Sequence, residues 1–288
     1  MAAGSIAAGA VAPRQSGRFH LPWRAILVTL VVLPFAVPFV WLILSALKPA
    51  DQFYAFPPTL LPNPPSLANV DAVLRLLETP RLFANTLLVA SLSTVFTVVS
   101  SAVVGFAFAT IPARGSRLLF AVLIGTILIP QTALIVPQFI LFSRLGWVGS
   151  YLPLIVPHLF GSAFFIFLFR QWFKSLPAHL FESAELDGAT PLQAFRHVGL
   201  PLAGPAIAAV AVFSFIAAWN DFLGPLIYLR SPDTFTVSVA MATLDGIYVQ
   251  NPQNSVAMAL IVLIPPIVVF FIAQRFLVRG VGATGWRG

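Results

Sequence analysis

The sequence contains no cysteine and few charged residues. None of its 288 residues is Cys, which excludes disulfide bonds, Cys-ligated zinc or iron–sulfur sites, and thiol nucleophiles. Only 9% of the residues are charged and 59% are hydrophobic, whereas a soluble domain has roughly 25% and 45–50%. This composition excludes a water-soluble globule.

Acidic residues are the scarcer of the two charged classes. Nine Asp and Glu stand against sixteen Lys and Arg, so the formal net charge is +7. A small cationic excess suits either a nucleic acid or a membrane surface. The charged residues lie between long uncharged stretches, which favours a membrane as the partner and predicts no nucleic-acid partner.

Long uncharged stretches set the predicted fold. Six of them contain no Asp, Glu, Lys or Arg and exceed the ~20 apolar residues that a membrane-spanning helix needs. The uncharged stretch 52–70 carries five prolines and is predicted to be an extended loop. The sequence predicts an all-α integral membrane protein with six transmembrane helices, at about 23–47, 82–110, 117–142, 151–172, 202–227 and 255–278.

The Lys and Arg residues predict the orientation. Eleven of the sixteen fall on one side of the alternating spans and five on the other, which makes the first side cytoplasmic. Both termini are then cytoplasmic, with 1–22 as a disordered tail and no cleaved signal peptide. The outer segments are 48–81 and 228–254, the second predicted to be a polar loop long enough to reach a partner.

Polar residues in the predicted spans are candidates for a translocation path. Asn220 and Asp221 lie near the outer end of the fifth span, His158 lies in the fourth, and Gln131 lies in the third. Polar groups at membrane depth either bond a neighbouring helix or line a path, and the sequence leaves both roles open. Proline-broken, polar helices favour a moving transporter over an inert anchor.

The cytoplasmic segment 174–201 has the strongest local signals. Asp187-Gly188 predicts the end of one short helix, and Thr190-Pro191 with Gln193 predicts the capped start of another. We expect Gly199 and Pro201 to stop the second helix. The result is two amphipathic helices with a glycine corner, whose apolar face needs cover from a cytoplasmic partner or from a lipid surface.

Nucleotide and metal motifs are missing. The phosphate loop G-x-x-x-x-G-K-[ST] does not occur, and Lys48 and Lys174 are the only lysines. His179 and Glu182 lie one turn apart, short of the three or four ligands of a metal site. The sequence predicts neither ATP hydrolysis by this chain alone nor a metal site.

A family resemblance appears in the same segment. Glu182-Ser183-Ala184, Gly188 and Val198-Gly199-Leu200-Pro201 resemble the EAA signature of ABC importer permeases at its spacing, with Ser183 in place of the first Ala. Four further short motifs resemble the smaller permease subunit of the carbohydrate-uptake family, of maltose or glycerol-phosphate type: Asn85-Thr86-Leu87, Leu186-Asp187-Gly188-Ala189, Trp219-Asn220-Asp221-Phe222 and the stretch 274–280. The resemblance covers about residues 23–288.

The resemblance implies a role and a set of partners. It implies a permease subunit of an ATP-driven carbohydrate importer in the cytoplasmic (inner) membrane of a bacterium or archaeon. The implied partners are a second permease in a heterodimer, two copies of a cytoplasmic ATPase that binds ATP and Mg, and an extracytoplasmic solute-binding protein that meets 228–254. No cofactor is implied for this chain. The implied ATPase-coupling residues are Glu182, Ser183, Ala184, Asp187, Gly188, Leu200 and Pro201.

Two other classes of protein fit less well. An ion- or proton-coupled carrier places ionisable residues inside its helices, but here only Asp221 lies near a span end. An integral membrane enzyme needs convergent catalytic groups, and the sequence offers only Asp221 and scattered histidines.

Overall fold

The computed structural model describes residues 23–76, 78–247 and 252–284, and the regular secondary structure in these ranges is helical. The predicted tail 1–22 lies outside the described residues. The chain divides into two units, residues 1–43 and 44–288. The described part of the first unit is the apolar helical stretch 23–43, which belongs to helix α1 (Trp23–Ala46).

The second unit contains the end of α1 and the helices that follow. In chain order these are α2 (Ala50–Phe53), α3 (Ala68–Leu76), α4 (Thr79–Thr110), α5 (Ser116–Gly125), α6 (Gln131–Arg144), α7 (Leu152–Ile155), α8 (Ala163–Ser175), α9 (His179–Leu186), α10 (Pro191–Ala194), α11 (Leu200–Leu202), α12 (Gly204–Trp219), α13 (Leu223–Tyr228), α14 (Val237–Ile247), α15 (Pro252–Val262) and α16 (Ile264–Thr284). Short 3₁₀ turns occupy Thr126–Leu128, Val156–Phe160 and Pro232–Thr234, and a π-helical turn occupies Phe195–Gly199.

Several helices have the length and composition of membrane spans. Four do so alone: Ala25–Ala46, Thr79–Thr110, Leu152–Ser175 and Pro252–Leu277. Two more segments do so only as bent pairs, Ser116–Leu128 with Gln131–Arg144 at 97° and Pro191–Leu202 with Gly204–Trp219 at 79°. Within the described ranges the chain therefore has four to six candidate spans.

The predictions of single helices at 117–142 and 202–227 are wrong. The first breaks between α5 and α6, where Ile129 is extended, the conformation favoured before a proline such as Pro130. The second ends at Trp219, and Asn220 and Asp221 belong to the turn before α13. Both bends leave shorter helices than the uncharged runs alone predict.

The prediction of a polar loop at 228–254 is also wrong in part. Helix α14 fills much of this segment, and Val237 and Val239 are each only 1% exposed. Val237 packs with Ala46, Val73 and Met258 in one buried cluster. Val237, Ala240 and Met241 are spaced i, i+3 and i+4 and share one apolar face of α14, which is more stable when buried than in water.

Helix α4 is the central element of the second unit. Its Gly105 faces α8 so closely that an added Cβ would lie 2.6 Å from the Cβ of Phe169 and 3.0 Å from the backbone nitrogen of Arg170. Phe106, next to it, lies in a buried cluster with Phe169, Phe173 and residues of α12. Small residues allow such close helix contacts in a membrane.

The hydroxyl groups of α4 bond the irregular stretch before α8. Ser93 Oγ donates to the carbonyl of Leu154 at 3.0 Å, and Ser100 Oγ donates to the carbonyl of His158 at 3.2 Å. Ser101 Oγ accepts from the N–H of Ser162 at 3.2 Å. Prolines interrupt this stretch, and the hydroxyls provide hydrogen-bond partners for its backbone groups in an apolar medium. The carbonyl of His158 also accepts from the N–H of Gly161 at 3.2 Å.

Candidate functional site

Residues 174–201 form two helical stretches joined at a glycine corner. Helix α9 ends at Leu186, and Gly188 follows with φ +78°, in the left-handed region. No atom lies within 4 Å of the position that a Cβ of Gly188 would take. Glycine is therefore required here for the backbone conformation, as predicted, and not for space.

The second helical stretch begins with the predicted capping box. The N–H of Thr190 donates to Gln193 Oε1 at 2.8 Å, and the N–H of Gln193 donates to Thr190 Oγ1 at 3.4 Å. Pro191 occupies the first helical position. These two bonds fix the angle at which the chain leaves the Gly188 corner.

The prediction that Gly199 and Pro201 stop this stretch is wrong. Pro201 has no N–H to donate to the carbonyl of His197, which would break a regular α-helix. The chain instead widens into the π-turn Phe195–Gly199, in which the N–H of Leu200 donates to the carbonyl of Phe195. The helix thereby continues to Leu202, and the 79° bend to α12 comes at Ala203.

One aromatic ring of α4 anchors the inner face of the corner. The ring of Phe106 lies 5.5 Å from that of Phe181 in α9 and 5.2 Å from that of Phe195 in the second stretch. It also lies 5.2 Å from Phe173 in α8. The apolar face that the sequence left without a partner is thus partly covered by the chain itself.

The outer face of the corner is exposed. Leu186 is 89% and Leu192 is 70% exposed, and each flanks the Gly188 turn. The residues that carry the resemblance are mostly exposed as well: Glu182, Ser183, Asp187, Gly188, Leu200 and Pro201, with Ala184 half-buried. Ser183 Oγ donates to the carbonyl of His179 at 2.7 Å, a local bond within α9.

The polar path candidates separate into two groups. His158 and Asp221 are half-buried and within electrostatic range of each other, and His158 Nδ1 is 2.9 Å from Thr97 Oγ1. Asn220 is exposed and donates to the carbonyl of Ile216 at 2.8 Å, which is a helix-end bond. Gln131 is exposed at the bend where α6 begins.

Asp221 is held by backbone and side-chain bonds. Its Oδ1 accepts from the N–H of Gly224 at 3.2 Å, and its carbonyl accepts from Ser238 Oγ of α14. The carboxylate thus closes the turn between α12 and α13. These hydrogen bonds give Asp221 a structural role, and a place of Asp221 and His158 in a translocation path stays a prediction.

Two further contacts were not expected from the sequence. Trp219 Nε1 donates to the carbonyl of Val262 at 3.2 Å. In a regular α-helix this carbonyl would accept from the N–H four residues later, but that residue is Pro266, which has no N–H. Asn85 Nδ2 donates to the carbonyls of Asp233 and Phe235, at 2.8 and 3.0 Å. A proline four residues after a carbonyl was the available signal for the first contact.

Comparisons with known proteins agree with this architecture. The chain is 30% identical over 255 residues to the arabinooligosaccharides transport system permease protein of Halalkalibacterium halodurans, covering 87% of this chain and 91% of that one. It is 32% identical over 275 residues to the trehalose transport system permease protein of Mycobacterium tuberculosis, covering 94% and 100%.

A solved structure shares the fold. A chain of a bacterial ABC transporter involved in the import of the acidic polysaccharide alginate superposes with a TM-score of 0.73 at 22% identity, over 92% of this chain and 99% of that one. The family model for the binding-protein-dependent transport system inner membrane component matches residues 1–283. The chain therefore belongs to the family of inner membrane components of binding-protein-dependent transport systems.

Proposed function

We propose that the chain is one permease subunit of an ATP-driven carbohydrate importer and forms half of its translocation path. Its relatives are named for arabinooligosaccharide and trehalose transport, which supports a carbohydrate as the class of solute. The partners are a second permease, two copies of an ATPase that holds ATP and Mg, and an extracytoplasmic solute-binding protein. A related alginate transporter was solved with its periplasmic protein bound.

The proposed topology has six spans with both termini in the cytoplasm. The four single segments and the two bent pairs give six crossings if each bent pair is one span, and the Lys and Arg distribution indicates the direction. This places 174–201 and the loop 111–115 inside, and Ser231 outside.

Cysteine labelling tests the topology, because the chain has no native Cys. Ser231 and Ala113 are both exposed, so Ser231→Cys and Ala113→Cys are a matched pair. In intact cells a membrane-impermeant thiol reagent should label position 231 alone, and after permeabilisation it should label both. Labelling of position 113 in intact cells would show that the proposed orientation is wrong.

The coupling role of 174–201 rests on one observation, the exposed outer face of a corner whose inner face is anchored to α4. Leu186 and Leu192 form the apolar part of that face. Glu182 and Asp187 are exposed beside them, and they suit polar or basic groups of an ATPase. Burial of one Leu side chain stabilises a contact by about 1.5–3 kcal/mol.

Paired leucine variants test this coupling. We expect Leu186→Ser with Leu192→Ser to reduce the ATPase retained on the purified importer about tenfold or more, since two buried leucines would be lost. The control, Leu60→Ser with Leu61→Ser, alters two leucines that are 70% and 68% exposed on the outer segment. Retention and binding-protein-stimulated ATP hydrolysis are measured. Wild-type values in the first variant would assign 174–201 to the lipid surface.

The solute class has a separate test. Calorimetry on the cognate solute-binding protein with a panel of oligosaccharides, monosaccharides, polyols and glycerol-phosphate should find a carbohydrate ligand. Uptake of that ligand should disappear when this chain is deleted. Uptake that persists would overturn the proposed function.

A further inference from the structure

A basic cavity opens where the ends of three candidate membrane segments meet. It lies between the end of α4, the loop 111–115 with the start of α5, and the last two turns of α8, and has a volume of about 670 Å³. Four cationic side chains line it: Arg114, Arg117, Arg170 and Lys174. No acidic side chain is among the residues that line it.

Arg170 is held in place by two contacts that leave part of its guanidinium unused. Its Nε donates to the carbonyl of Phe108 at 3.3 Å. The residue four positions after Phe108 is Pro112, which has no N–H to donate to this carbonyl. The guanidinium carbon of Arg170 lies 4.0 Å from the ring centroid of Phe120 in α5. Within the described ranges the terminal nitrogens of Arg170 have no hydrogen-bond partner, so they can bind an anion at the cavity.

The other cations of the cavity are not paired within the chain. The ion pairs found among the described residues involve Arg75 and Arg81, in the segment that precedes and begins α4. Arg114, Arg117 and Lys174 are exposed and form none of them. Lys174 also lines a neighbouring cavity with Glu182 and Glu185, so Arg114, Arg117 and Arg170 are the cations that belong to the basic cavity alone.

Exposed apolar side chains adjoin the cavity on the membrane side. Leu118 and Leu119, next to Arg117 in α5, are 69% and 61% exposed, and Phe167, one turn before Arg170, is 38% exposed. A ligand for this place needs an anionic group for the arginines and an apolar part for these side chains. A phospholipid has both parts in one molecule, whereas a free phosphate lacks the apolar one.

We propose that this cavity binds the phosphate headgroup of an anionic phospholipid at the membrane surface. The arginines contact the phosphate oxygens, for which their planar groups are suited, and the acyl chains cover Leu118, Leu119 and Phe167. The proposal rests on the proposed topology, which places these span ends at the membrane surface, and does not depend on the solute or on the coupling role of 174–201. It adds a lipid-binding site to the chain.

Native mass spectrometry of the intact importer tests the proposal. The complex is purified in detergent through a tag on this chain, stripped of lipid, and titrated with phosphatidylglycerol or phosphatidylcholine of the same acyl chains. We expect tighter binding of phosphatidylglycerol. In Arg114→Gln with Arg117→Gln its affinity should fall roughly 25-fold, since each basic residue near an anionic lipid contributes about a factor of five.

Matched variants separate a site from general charge attraction. The control, Arg144→Gln with Arg230→Gln, removes two exposed arginines away from the cavity and should bind phosphatidylglycerol as the wild type does. Arg114→Lys with Arg117→Lys keeps the charge but not the planar groups, so its affinity should lie between those of the wild type and the Gln variant. An equal loss in the control variant would overturn the proposal.

Competition identifies the source of the phosphate group. Millimolar inorganic phosphate should not displace phosphatidylglycerol, because it makes no contact with the apolar side chains. Displacement would assign the cavity to a free anion. If this chain alone binds phosphatidylglycerol but the intact complex does not, the cavity is covered by an acidic partner subunit. Either this result or displacement by phosphate would overturn the proposed lipid site.

Discussion

At the residue scale, the backbone conformation of Gly188 predicts which substitutions the corner tolerates. The space around it is open, so a side chain is resisted only by the positive φ of +78°. A non-glycine residue in the left-handed region costs roughly 1–2 kcal/mol, and a β-branched residue is the worst case. We expect Gly188→Val to weaken ATPase retention and stimulated hydrolysis strongly.

The matched control is Gly188→Asn, because Asn tolerates the left-handed region best among the non-glycine residues. It should retain most of both activities. A similar loss in the two variants would show that any side chain at position 188 is harmful, whether or not the residue tolerates the left-handed conformation. Co-purification with the ATPase is the measurement for both.

At the element scale, the hydroxyl groups of α4 predict which substitutions in that helix matter. Ser93 Oγ bonds the carbonyl of Leu154, whereas the buried Thr94 Oγ1 has no hydrogen-bond partner among the described residues. Ser93→Ala should lower the stability of the purified chain by about 0.6–1.7 kcal/mol, the range for such bonds between membrane helices. Thr94→Val, of nearly equal volume, should leave it unchanged or raise it.

Thermal unfolding in detergent compares the two variants. A melting temperature that falls for Ser93→Ala and not for Thr94→Val supports the assigned bonds. The reverse order would mean that the hydroxyl of Thr94, and not that of Ser93, is the one used between helices.

The elements that the sequence predicted correctly have local causes. The Gly188 corner and the Thr190–Gln193 capping box depend on residues a few positions apart, so their patterns are sufficient. The bend at Pro130 and the end of α12 at Trp219 were missed because an uncharged run gives the length of an apolar segment and not the points at which the chain turns. The π-turn before Pro201 was missed because a proline can end a helix or widen it, and packing decides which.

The candidate site was predictable in its exposed part only. The motif of 174–201 is contiguous, and the structure places its residues on one corner. The proximity of His158 and Asp221 and the basic cavity both depend on residues far apart in sequence, which only the packed chain brings together.

At the scale of the whole molecule, α4 also fixes the segment that leads to α14. Asn85 Nδ2 bonds two carbonyls of 233–235, and Thr86 Oγ1 accepts from the N–H of Val237 at 2.9 Å. Arg81 forms an ion pair with Asp233. These contacts hold a segment proposed to face the solute-binding protein.

Removal of the amide should loosen that segment without disturbing the rest. We expect Asn85→Ala to raise hydrogen exchange in 233–241 by about 5- to 30-fold, since two bonds of about 0.5–1 kcal/mol each are lost. Exchange in 179–202 should stay the same and is the internal control. Unchanged exchange in 233–241 would show that Arg81 and Thr86 suffice to hold it.

The length of α4 has a consequence for how its two ends move. At 32 residues it extends about 48 Å, with Thr86 bonded to the α14 segment near one end and Phe106 packed on the glycine corner near the other. A helix that is hydrogen-bonded along its length tilts as one body. We therefore expect a tilt that starts at the corner to move the α14 end of α4 with it, because one continuous helix joins the two ends.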